Sequence, residues 1–185
     1  SATGLSATPA WTAEGDQTGA FFGASVFTAG DVNGDGYSDV IVGAPLYDVL
    51  GSFDAGRVFV YHGSPAGLSA TPNWFNSFAD AGDRFGFSTS AAGDVNGDGF
   101  SDVIVGAYLA ESGAETDEGR AYLYLGSPTG IVVAPPTWGA EPNQANASFG
   151  RSVSTAGDVN ADGYADVVVG AHLYDNTLAD EGRVF

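Results

Sequence analysis

The chain of 185 residues carries 23 acidic residues against five arginines and no lysine, a formal net charge of −18. Its length allows one ordinary domain with a core of its own. The charge makes nucleic acid and anionic lipid poor partners, since both need a basic face to displace counterions. With no cysteine, the chain takes no stability from disulfides. No apolar run approaches the ~20 residues of a membrane-spanning helix, so membrane insertion is not expected. The chain has no methionine and opens on no signal peptide, and it reads as a processed or excised piece.

Residues 1–21 read as an outer strand and a linker, because Ser1 to Trp11 match Ser64 to Trp74 almost residue for residue. Phe22-Gly23 then opens a repeated unit. A short strand is expected at 25–28, and the apolar, β-branched run at 40–42 predicts a second strand that ends in Gly43-Ala44-Pro45. Between them lies Asp31-Val-Asn-Gly-Asp-Gly-Tyr-Ser-Asp39. A variable acidic stretch at 48–55 leads to a third strand at 57–61, and a fourth is expected over 67–74, ending at Trp74.

The unit recurs at Phe85-Gly86 and again at Phe149-Gly150. The boundaries are 22–84, 85–148 and 149–185, the last lacking its outer strand. The matching third strands are 120–124 and 183–185, and the second outer strand is 130–138, ending at Trp138. Four short strands per unit with glycine-rich turns is the pattern of a propeller blade. The fold class is therefore all-β: a β-propeller of four-stranded antiparallel blades, three blade equivalents per chain.

The acidic loop returns as Asp94-Val-Asn-Gly-Asp-Gly-Phe-Ser-Asp102 and Asp158-Val-Asn-Ala-Asp-Gly-Tyr-Ala-Asp166. Oxygen-bearing side chains at positions 1, 3, 5 and 9, with glycine at position 6, suit a hard cation that takes six to eight oxygens at roughly 2.3–2.6 Å. Position 7 of such a loop contributes its backbone carbonyl. The candidate ligands are thus Asp31, Asn33, Asp35, Tyr37 and Asp39; Asp94, Asn96, Asp98, Phe100 and Asp102; and Asp158, Asn160, Asp162, Tyr164 and Asp166. They predict three Ca²⁺ per chain, which would offset a third of the net charge. An EF-hand would need a glutamate at position 12, where this chain has Val42, Val105 and Val169.

Phe-Gly, the loop Asp-x-Asn-x-Asp-Gly-x-x-Asp and Gly-Ala-Pro, in that order, resemble the FG-GAP repeats of integrin α-subunit β-propellers. The resemblance covers essentially the whole chain, though Tyr108 and His172 replace the proline in the second and third units. It implies that the loop joins the first and second strands of a blade and holds Ca²⁺ at the fifteen positions named above. It also implies extracellular binding or adhesion with structural calcium. Near-identical blades without added domains look like the repeated modules of secreted bacterial proteins, and FG-GAP-like propellers include a fungal lectin. The alternatives are a purely architectural or engineered fragment that self-assembles, and a lectin-like carbohydrate-binding propeller. Modular extracellular sites bind calcium at about 10⁻⁴–10⁻³ M, which favours the cell exterior.

Three blades are too few to close a ring, since propellers typically have four to eight. A homodimer that exchanges its first strands would make six blades and leave no sheet edge exposed. Protein and glycan ligands are both open, and the variable stretches at 48–55, 111–118 and 175–181 are where recognition is expected. Catalysis is not expected: His62 and His172 fall at unrelated repeat positions, and no serine-centred nucleophile motif occurs. The tryptophans are expected to pack between blades, and Arg57, Arg120 and Arg183 to pair with the acids that precede them.

Overall fold

The computed structural model describes residues 6–77, 80–111, 115–132 and 135–185. Every regular element among them is a strand. The first sheet is built from β1 (Ser25–Gly30), β2 (Asp39–Ala44), β3 (Arg57–Tyr61) and β4 (Trp74–Asn76) in that spatial order. The second repeats it with β5 (Ser88–Gly93), β6 (Asp102–Ala107), β7 (Arg120–Tyr124) and β8 (Trp138–Ala140). The third has three strands, β9 (Phe149–Gly157), β10 (Asp166–Ala171) and β11 (Arg183–Val184). All pairings are antiparallel, and β5 packs between β1 and β9, so the three sheets stand side by side as consecutive propeller blades.

Val-Ile-Val and Val-Val-Val runs place β2, β6 and β10 in the middle of each blade, where both faces are covered and apolar residues on both sides are favoured. Alternate residues then serve different interfaces. Ile41, Val58 and Val60 face blade 2 together with Phe85 and Tyr122, whereas Val42, Phe59 and Tyr61 face the other way. Ile104, Leu123, Phe149 and Val169 fill the space between blades 2 and 3.

Two sequence expectations shift. The outer strands begin at Trp74 and Trp138 rather than ending there. Pro72, and Pro135 with Pro136, stand just before them, and proline has no amide to donate to a ladder. Pairing starts only past the prolines, with Asn73 N donating to Val60 O (2.8 Å) and Thr137 N to Leu123 O (2.9 Å). At the N-terminus, residues 6–11 form no strand, and residues 1–5 lie outside the described residues. Trp11 nevertheless packs edge-on against Tyr61 at 5.0 Å, much as Trp74 packs against Tyr124 at 5.3 Å. It thus takes the place of an outer-strand tryptophan without its strand. Trp138 is left partly exposed.

The arginines also pair differently. Asp54 is bonded to Arg84, the last residue of its own unit, at 3.0 Å, and Arg120 reaches Glu141 at 2.6 Å. Arg57 lies over the Tyr47 ring (3.9 Å) and Arg183 over Tyr174 (4.5 Å), so these two make cation–π contacts rather than the expected ion pairs. Carbonyls of the variable stretches meet the next blade, a structural duty in addition to any recognition: Ala55 O accepts from Phe85 N and Glu118 O from Phe149 N. Residues 112–114 of the second stretch lie outside the described residues.

Asp83, in the turn before Phe85, accepts from Asp80 N at 2.9 Å and is almost fully buried. Burial pushes its carboxyl up to about 6, with Asp80 and Glu111 adding to the shift and the Asp80 amide and Arg120 opposing it. A carboxyl raised above its unfolded value stabilises the fold when protonated, and that contribution is lost as pH rises through about 6. Asp83→Asn should therefore remove part of the fall in stability between pH 4 and 7. Urea unfolding across that range checks this, and an unchanged slope would refute it.

Candidate metal-binding loops

Each acidic loop leaves its first strand through a bulge. The register slips between Thr28 and Gly30 and between Ala91 and Gly93, and again where Asp166 meets Gly157 in blade 3. A bulge bends the strand and re-aims the residues beyond it. The loop then winds around its own carboxylates. Asp35 N donates to Asp31 Oδ1 (3.0 Å) and Gly36 N to Asp31 Oδ2 (2.8 Å), while Asp35 N also reaches Asn33 Oδ1 (3.1 Å) and Tyr37 N reaches Asp35 Oδ1 (2.9 Å). Loop 2 repeats these contacts at Asp94, Asn96 and Asp98, and loop 3 at Asp158, Asn160 and Asp162. Positions 1, 3 and 5 are thus turned onto one loop interior in all three copies.

Position 9 has a role that sequence reasoning missed. Asp39 is fully buried and accepts from Val32 N and Gly63 N, both at 2.8 Å. Asp102 does the same with Val95 N (2.8 Å) and Gly126 N (2.9 Å). Each ties its loop to the turn that follows the third strand. Asp166 keeps the first bond, from Val159 N at 3.0 Å. The available signal was position: Asp39 and Asp102 each open an apolar central strand that is covered on both faces. Desolvation raises Asp39 and pushes Asp102 up to about 6, against the pull of the two donated amides. A divalent cation would act in the opposite sense, favouring the charged carboxylates.

Among the described residues, no group of three or more acidic, histidine or cysteine side chains stands close enough to hold an ion alone. The donor set of these loops is mixed. Each carboxylate oxygen offers two lone pairs, and one amide on each oxygen of Asp31 leaves room for a second partner. The set of carboxylates, an amide oxygen and a position-7 carbonyl is all oxygen, which fits a calcium-type cation.

The loops are also linked to one another. Ser101 N donates to Asp31 O and Ala165 N to Asp94 O, both at 2.9 Å, so position 8 of each loop holds position 1 of the one before. The position-7 ring lies over position 4 of the preceding loop: a Cβ on Gly34 would stand 2.6 Å from Phe100, and one on Gly97 2.8 Å from Tyr164.

The FG-GAP repeat model matches residues 22–61, 85–124 and 149–185. The chain belongs to the FG-GAP repeat family. Integrin alpha-V of Gallus gallus is 36% identical to it over 180 residues, covering 91% of this chain and 16% of that protein. Integrin alpha-5 of Xenopus laevis is 34% identical over 179 residues, covering 91% and 16%. Integrin alpha-PS5 of Drosophila melanogaster is 36% identical over 162 residues, covering 85% and 15%. The chain spans about a sixth of the length of the curated relatives it matches. Among the described residues, no helix is long and apolar enough to cross a membrane.

Position 4 of the third FG-GAP loop is Ala161, held at φ 60°, where Gly34 and Gly97 have φ 72° and 75°. A Cβ in this left-handed region costs roughly 1–2 kcal/mol. Ala161→Gly should raise stability by up to about 1 kcal/mol after the added chain entropy of glycine is counted. Gly34→Ala should lower it, since the new Cβ also meets the Phe100 ring. Chemical denaturation measures both, and the same sign for the two would contradict the loop geometry.

Proposed function

We propose that this chain is a calcium-binding, integrin-like FG-GAP propeller module of the cell exterior, acting in binding or adhesion, with calcium structural and no catalytic role. The observation that carries this reading is the loop built three times around its own carboxylates, with positions 1, 3 and 5 turned onto one interior. Asp31, Asn33, Asp35 and Asp39 would hold the first ion with the carbonyl of Tyr37. Asp94, Asn96, Asp98, Asp102 and the carbonyl of Phe100 would hold the second. Asp158, Asn160, Asp162, Asp166 and the carbonyl of Tyr164 would hold the third.

Similarity to integrin alpha chains over most of its length supports an adhesive role and a protein ligand. The scarcity of nucleophile and base candidates supports a non-catalytic one. His62 is engaged near Asn33 at 3.3 Å, and the chain has neither cysteine nor lysine.

If free calcium is about ten times Kd, each ion stabilises the fold by roughly 1.4 kcal/mol and three by about 4. Chelation should then lower Tm on the order of 10 °C. Calorimetric titration of chelated protein should return three ions per chain, and Asp35→Ala together with Asp31→Ala should return two. No heat and no Tm change would overturn the calcium assignment. For adhesion, immobilised protein is presented to an extracellular-matrix panel in calcium and in chelator. Retention that ignores calcium on every surface would count against the role proposed.

A further inference from the structure

We propose that loops 94–102 and 158–166 each help to position the ion site of the loop before them, so that calcium binding at neighbouring loops is cooperative. The proposal rests on the calcium reading above and adds its regulation. Phe100-Ser101 and Tyr164-Ala165, at positions 7 and 8, carry the coupling, because their groups face two ways. The position-7 carbonyl would serve the ion of its own loop. The ring on the same residue covers position 4 of the preceding loop, so closely that a Cβ on Gly34 would stand 2.6 Å from Phe100 and one on Gly97 2.8 Å from Tyr164. The next amide holds position 1 of that preceding loop: Ser101 N donates to Asp31 O and Ala165 N to Asp94 O, both at 2.9 Å. Asp31 N returns a bond to Ser101 Oγ at 3.2 Å. Loop 94–102 therefore grips both backbone groups of a residue that would ligate the ion of loop 31–39.

The first two loops share a second path, through position 9. Asp102 accepts from Gly126 N (2.9 Å), Ser127 N donates to Val32 O (3.0 Å), and Val32 N donates to Asp39 Oδ2 (2.8 Å). Two candidate ligands on different blades, Asp102 and Asp39, are thereby joined through Gly126, Ser127 and Val32. The fit is close, since a Cβ on Gly126 would stand 2.8 Å from Val32 O.

An ion in loop 94–102 would fix the Phe100 carbonyl and the Asp102 carboxylate. The segments fixed there are those that hold Asp31 and Val32, so loop 31–39 would lose less conformational entropy when its own ion arrives. Linkage makes the help mutual: each ion raises the affinity for the other by the same factor. Charge alone predicts the reverse, because each ion places two positive charges beside the next site. At about 0.15 M salt, exposed charges are screened beyond roughly 8 Å, while the contacts remain. The sign of the coupling tells the two effects apart.

The test is a calcium titration of the chelated chain at that ionic strength, followed by two-dimensional NMR. The amides of Gly36, Gly99 and Gly163 each donate to the position-1 carboxylate of their own loop, so their resonances report the three loops separately. In the wild type, occupancy should rise more steeply than independent ions allow, with a Hill coefficient above one. Phe100→Ala keeps the main-chain carbonyl of its own loop. It should lower the calcium affinity of loop 31–39 about fivefold or more, and that of loop 94–102 by less. Tyr164→Ala should likewise weaken loop 94–102 more than loop 158–166. A ring that served only the stability of the fold would not produce this displacement by one loop. Independent or antagonistic binding in the wild type, or a substitution that weakens its own loop most or all three alike, overturns the coupling and leaves the calcium sites standing. Glycine resonances that calcium never moves overturn the calcium reading and the coupling together.

Discussion

Neighbouring blades are held together by backbone packed against backbone, and the closeness of that approach governs the rest of the structure. Gly43 with Gly86, and Gly106 with Gly150, leave no room for a side chain on either partner. The amides of Phe85 and Phe149 reach carbonyls of the preceding blade, so polar groups buried by the contact are satisfied rather than stranded. With the main chains locked, Phe85 and Phe149 are fixed at the centre of their interfaces, where they fill the core against Tyr122 and Phe185. The family's Phe-Gly pair thus joins an apolar anchor to the one residue that permits the approach.

The same stacking brings the acidic loops into a row. A chain with a net charge of −18 that places nine of its carboxylates in three adjacent turns bears a repulsive cost at each of them. Part of it is met internally, by amides donated to Asp31, Asp94 and Asp158 and by the buried clamps at Asp39 and Asp102. These bonds shape the loop but bring no positive charge, and a divalent ion would supply it. The fold and the proposed ion are therefore complementary: the blades set the loop geometry, and the ion would relieve its crowding.

Much of this was legible in the residues. Val-rich runs located the central strands, because only a strand covered on both faces tolerates apolar residues at successive positions. The repeat located the blades, and the loop spacing located the oxygens at positions 1, 3 and 5. What stayed hidden depended on neighbours outside the local sequence. Arg57 follows Asp54 closely, yet Asp54 bonds to Arg84 just before Phe85, a partner that only blade stacking provides. The clamp made by Asp39 depends on Gly63, which lies at the far end of a different strand. The N-terminal stretch matched an outer strand in sequence, but a strand exists only where a ladder is available to it, and residues 11–13, which match Trp74–Asn76, form none.

The contacts from Ser101 to Asp31 and from Ala165 to Asp94 turn three separate loops into a short one-dimensional lattice. In such a lattice each member is coupled to its immediate neighbours and to nothing farther away. Loop 94–102 has a neighbour on both sides, whereas loops 31–39 and 158–166 each have one within the chain. Disorder introduced at loop 94–102 would therefore reach both of the loops it is bonded to.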